Sequence, residues 1–203
     1  MNETTLLDTS PNTSVFLHLR VVIAIVVGLS ITRLLSGLAG FIQHPRTTRV
    51  YPTHLCWVIT MLLMVVHFWW WEFKLTEVVH WSFQLYCFVI LYAVLFFLLC
   101  ALLFPDSTAD YSGYECYFLS RRKWFFGILA LSFCADVVDT LMKGPEHVHA
   151  LGLEYPVRTV LFVVLCGVAM HVKHRAFHLA FVTATFLYQL SWVIRDLDPI
   201  GCR

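Results

Sequence analysis

Apolar residues in this chain come in long unbroken runs, without the alternation of a half-buried strand or the three-and-four spacing of a surface helix. Cut at the Pro, Gly and charge clusters, the runs lie near 15–41, 54–71, 78–104, 124–142, 157–172 and 176–194. Each is close to the roughly 20 apolar residues that carry an α-helix across a bilayer core about 30 Å thick. The pattern predicts an all-α polytopic membrane protein of about six transmembrane helices, with 1–203 as a single transmembrane domain. The breaks are Gln43-His44-Pro45-Arg46 with Tyr51-Pro52, Pro105-Asp106, and Lys143-Gly144-Pro145. Proline ends a helix because it lacks the backbone N–H and clashes with the preceding turn. Lys173-His174-Arg175 is so short a break that the last two helices must form a hairpin.

Composition agrees with lipid as the solvent. Of 203 residues 59% are hydrophobic and 13% charged, and mean hydropathy is +0.74, far from the balance of a water-soluble domain. Fourteen Lys and Arg against thirteen Asp and Glu give a net charge of +1. That leaves no basic reservoir for a phosphate backbone, so nucleic acid is not expected as a partner and the lipid bilayer is. The seven cysteines contain no Cys-x-x-Cys pair, and five lie in apolar runs as small hydrophobes. They predict neither a disulfide framework nor zinc. The N-terminus lacks a basic stretch ahead of its first apolar run, since Arg20 lies inside it, so the run is expected to be retained as a span.

Charge sets a direction. Arg46 and Arg49, then Arg121-Arg122-Lys123, then Lys173 and Arg175 occupy alternate connections, and cytoplasmic loops retain positive charge. Both termini are therefore expected outside. Trp69, Trp70, Trp71, Trp81 and Trp192 fall at the predicted outer boundary and Trp57 and Trp124 at the inner one, as interfacial belts do. Asn2-Glu3-Thr4 and Asn12-Thr13-Ser14 are glycosylation sequons on the predicted outer tail.

An internal similarity runs through the chain. Tyr51-Pro52 followed by His67 recurs as Tyr155-Pro156 followed by His171, and His80, Phe83, Phe88 recurs as His178, Phe181, Phe186. It divides the chain into units 15–104 and 122–195, a 3+3 inverted repeat of the kind found in many transporters. Coincidence among abundant His and Phe is the alternative.

Ionisable groups within spans cost roughly 2.5–3.5 kcal/mol each on insertion scales, so each faces protein or water or reaches an interface. In the first span Gly28, Thr32, Ser36 and Gly40 form a small-residue stripe for close helix packing. Ser30, Arg33 and Gly37 form a second beside it. Arg33 lies about 12 Å from the inner end at the helical rise, open either to an anion-attracting role or to a structural pair or snorkelling. The fourth span puts Ser132, Asp136, Asp139 and Thr140 on one face. Two carboxylates there suit a proton carrier or cation ligand, or else one pairs with a buried Arg or sits in outer headgroup water near Lys143. His67 and His80 flank the outer hairpin and His171 and His178 the inner one, with Gln84 and Gln189 as further polar groups in spans. These histidines suit proton relay, metal ligation, or haem held between His67 and His80; bonding to headgroups or backbone is the competing reading. His147 and His149 with Glu146 form either a metal or pH-sensing patch or a solvated loop.

There is no Gly-x-Gly-x-x-Gly, Walker loop, His-Glu-x-x-His, Gly-x-Ser-x-Gly or potassium-filter motif. No catalytic residue and no obligatory cofactor is predicted. The segments Gly28-Leu-Ser-Ile-Thr-Arg33-Leu-Leu-Ser-Gly37, His67-Phe-Trp-Trp-Trp71, Leu103-Phe-Pro-Asp106 and Arg121-Arg-Lys-Trp-Phe-Phe126 together resemble a set of uncharacterised bacterial six-helix multi-pass proteins. The resemblance implies a bacterial inner membrane and carries no activity. The expected function is a small transporter or channel subunit, as a homo-oligomer or with a partner membrane protein, moving an ion, proton or small polar solute past Arg33, Asp136 and some of the histidines. The alternatives are a haem- or quinone-binding redox protein and a noncatalytic sensor or assembly subunit.

Overall fold

The computed structural model describes residues 11–43, 51–78, 81–105, 111 and 113–197, which form seven α-helices and, among the described residues, no strand. In chain order these are α1 (Pro11–Gln43), α2 (Pro52–Trp71), α3 (Phe83–Leu103), α4 (Tyr114–Met142), α5 (Pro145–Leu151), α6 (Glu154–His171) and α7 (Arg175–Leu197), with a 3-10 stretch Glu72–Glu77 after α2. All but α5 are long and apolar enough to cross a membrane, which agrees with a multi-pass membrane protein.

Local chemistry sets the helix ends. Pro52 and Pro145 open α2 and α5, where a missing N–H removes no intrahelical bond. Ser82 caps α3 by accepting from the Leu85 backbone N–H at 3.3 Å. Gly144 and Gly152, at φ 102° and 63°, turn the chain into and out of α5, a conformation that a Cβ disfavours. Sequence periodicity starts the fourth span at 124, whereas α4 starts at Tyr114. The extra turns are amphipathic: Tyr117 and Phe118 are buried while Arg121 and Lys123 are exposed. An unbroken apolar run does not reveal such an extension.

Six crossing helices bring the start of α1 and the end of α7 to one end of the bundle. That end also holds α5 and the α2–α3 link, and is called here the α5 end. The other, the basic end, holds the links from α1 to α2, α3 to α4 and α6 to α7. The main pairings are α4 with α6, α1 with α3, and α2 with α7. The two three-helix units thus differ in their internal neighbours. Trp57 on the central helix α2 is fully buried, its ring 5.1 to 5.6 Å from those of Phe125, Phe126 and Phe181. Where lipid is the solvent, such edge-to-face packing replaces the hydrophobic effect in joining helices. The outer surface is apolar, as Leu17, Val21, Ile25 and Leu29 along α1 illustrate.

The stripes on α1 face opposite ways. Ser30 is buried, and the Phe104 ring lies so close on Gly37 that a Cβ there would collide with it. Gly28, Thr32 and Ser36 are exposed, and no atom lies within 4 Å of a Cβ built at Gly28 or Gly40. The inward stripe therefore does the packing within the chain.

Candidate functional site

The polar face of α4 supplies the centre of the site. Asp136 Oδ2 accepts from Arg158 Nη2 at 2.7 Å and from the Tyr155 hydroxyl at 3.0 Å, and its Oδ1 accepts from the Tyr92 hydroxyl at 3.4 Å. The Tyr155 hydroxyl, its proton given to Asp136, receives one from Thr140 at 2.9 Å. Three helices, α3, α4 and α6, thus converge on one carboxylate. Arg158 lies 4.9 Å from the Tyr155 ring centroid, and its buried Nε has no acceptor among the described residues.

Asp136 and Arg158 line a cavity of about 60 Å³ near the α5 end, with His67, Trp71, Gln189 and Trp192 on its other sides. At 10–15 Å³ of such space per water, it holds roughly four waters or a small solute. Its wall is partly polar and partly aromatic, the usual make-up of a small-ligand site. The Gln189 amide nitrogen donates to His67 Nδ1 at 2.6 Å, which leaves the imidazole proton on Nε2 and ties α2 to α7. At the rim, Arg195 clamps Glu154 through two bonds of 2.8 and 2.9 Å.

Behind Trp71 is a second charged group. Lys143 Nζ donates to Asp139 Oδ2 at 2.5 Å and to Glu72 Oε1 at 3.5 Å, and all three side chains are buried. Lys143 Nζ is 5.4 Å from the centroid of the Trp71 ring, which also lines the cavity.

The structure brings Asp136, His67 and Gln189 to the cavity and puts Asp139 in the adjoining triad. Gln84 is exposed on α3, away from the cavity lining, and His80 lies outside the described residues. At the basic end, Arg33, His171 and His178 do not meet. Arg33 Nη2 donates to the Phe104 carbonyl at 2.6 Å. His178 is buried, bonded through Nε2 to the Val172 carbonyl at 2.9 Å and stacked on Phe126. His171 is exposed. A haem between His67 and His80 finds one described ligand, and His67 is already tied to Gln189. Among the described residues no three His, Cys, Asp or Glu converge as a metal site, His147 and His149 included.

Sequence reading did not find Arg158, Tyr155, Tyr92, Glu72 or His54. Arg158 had a signal: it is the one cation within the apolar run 157–172 and faces Asp136 across an antiparallel pair. His54 Nε2 bonds the Leu103 carbonyl at 2.6 Å and the Tyr117 hydroxyl donates to the Leu102 carbonyl at 2.9 Å. With Arg33 they cover the carbonyls at the end of α3. No known protein family matches the chain, and neither does any curated protein or solved structure.

Proposed function

We propose that this chain is a small membrane transporter or channel subunit whose solute site is the cavity of Asp136 and Arg158. The observation that carries the reading is an ion pair on a cavity wall inside a bundle of apolar helices. Charges in such surroundings are costly and by default mark a pathway for ions, protons or polar solutes. Asp136 and Arg158 satisfy each other when the cavity is empty. A proton on Asp136 together with an anionic group beside Arg158 gives each a new partner and leaves no bare charge. Tyr92, Tyr155 and Thr140 supply hydroxyls that reorient as Asp136 changes state. Cavity size favours a proton, an ion with some of its water, or a solute of a few heavy atoms.

The basic connections at 46–49, 121–123 and 173–175 support an orientation with the cavity opening outward from a plasma membrane. The 3+3 repeat would provide matching access from the two sides, and the reading does not depend on it. The exposed stripe of Gly28, Thr32 and Ser36 leaves α1 suited to a second copy or a partner helix.

Proteoliposomes under ion and pH gradients test the proposal. Wild type is expected to pass ions, protons or small solutes faster than protein-free vesicles. Asp136→Asn should lower that flux by about tenfold or more, as loss of one charge-assisted hydrogen bond worth roughly 1.5–3 kcal/mol implies. Equal leakage by wild type, Asp136→Asn and empty vesicles would remove the reading.

A further inference from the structure

The buried triad behind Trp71 has a charge count that does not close. Lys143 brings one positive charge to two carboxyls, and among the described residues it is the only ion-pair partner of either Glu72 or Asp139. The side chains of Lys143 and Asp139 are fully buried and Glu72 is 4% exposed. With every group ionised the cluster would hold a net negative charge buried from bulk solvent, and an uncompensated buried charge is among the costliest features a fold can carry. Two oxygens show where the imbalance sits: Glu72 Oε2 and Asp139 Oδ1 are buried and have no hydrogen-bond partner among the described residues.

Among the described residues no second cation forms an ion pair with Glu72 or Asp139, although Arg20 lines a small pocket together with Glu72. From α1, Arg20 lies over Phe73, 4.3 Å from its ring centroid. Lys74 stands 4.1 Å from the Trp71 centroid, and His147 of α5 packs against that ring at 5.1 Å. Tyr92 on α3 and Tyr155 and Arg158 on α6 are committed to Asp136, which lies one turn from Asp139 on α4.

We infer that the Glu72–Asp139–Lys143 triad is a proton-binding site holding one bound proton. The distances say where it resides. Lys143 contacts Asp139 at 2.5 Å and Glu72 at 3.5 Å, so Asp139 is the ionised partner of the ammonium and Glu72 carries the proton on its carboxyl. Like charges beside one cation share a site in this way, one carboxyl remaining neutral. The Asp136–Arg158 pair lies one helical turn away across Trp71, so a charge change in the triad alters the field at the cavity. That this proton is a coupling ion rests on the transport reading, whereas its presence in the triad does not.

Infrared difference spectroscopy on the purified full chain tests the assignment through the C=O stretch of a protonated carboxyl. At neutral pH wild type is expected to show one buried, slowly exchanging carboxylic acid per chain. The band should be lost in Glu72→Gln and retained in Asp136→Asn. Carboxyl-¹³C glutamate should shift it in unmutated protein, which tests the assignment even if Glu72→Gln fails to fold. No band, or a band unmoved by labelled glutamate, would each overturn the proton assignment. A band that behaves as expected in protein without flux would sustain the proton site and reject the transport reading.

Discussion

The two ends of the bundle both bury polar side chains and differ in what those side chains face. At the basic end, His54, Arg33 and Tyr117 turn toward the Leu103, Phe104 and Leu102 carbonyls and close the end of α3. A helix leaves its last carbonyls unbonded, and here side chains satisfy them. At the α5 end, Asp136 and Arg158 face each other on the wall of a cavity, and Lys143 faces two carboxyls behind it. The difference separates polar groups fixed by backbone from polar groups able to change partners. An arginine in an apolar helix is therefore no pointer to function by itself: Arg33 donates to a backbone carbonyl, Arg158 to a carboxylate on a cavity wall.

The contrast can be broken most strongly in the triad. Lys143→Met leaves two buried carboxyls without their cation, and at neutral pH the melting curve in detergent should show a loss of about 3–5 kcal/mol. Protonation of the carboxyls removes the charge that costs, so the loss should shrink as pH falls. At the basic end, Arg33→Ala leaves the Phe104 carbonyl without a donor, with an expected loss of about 1–3 kcal/mol. Gly37→Ala presses a methyl group into the Phe104 ring and should cost about 1–3 kcal/mol by overpacking. Glu154→Gln loosens an ion pair whose side chains are 47% and 48% exposed, so about 1 kcal/mol or less is expected, and less still in high salt.

Much of the fold was legible because lipid demands long apolar helices, and the run lengths alone give six. What escaped were elements whose cues are not apolar: the short helix Pro145–Leu151, held between two glycines, and the first turns of α4, where only Tyr117 and Phe118 turn inward. Of the site, the clustering of Asp136 and Asp139 on one face of α4 was readable from their spacing. Their separate fates were not, because Arg158, the partner of Asp136, lies 22 residues on, and Glu72, which shares Lys143 with Asp139, lies 67 residues before it. Arg33 stood out as a charge within an apolar run, but the Phe104 oxygen it donates to is a backbone carbonyl, which every residue possesses and no sequence pattern marks.

Flux through proteoliposomes of Arg158→Gln against Arg33→Ala, each first shown to be folded, tests the central claim most directly. With Arg158 on the solute pathway and Arg33 in the framework, Arg158→Gln should lower flux by about tenfold or more, for the loss of a charge-assisted bond of roughly 1.5–3 kcal/mol. Arg33→Ala should melt earlier yet leave the flux of folded protein close to wild type. Equal loss in both variants, or a loss confined to Arg33→Ala, would contradict the account.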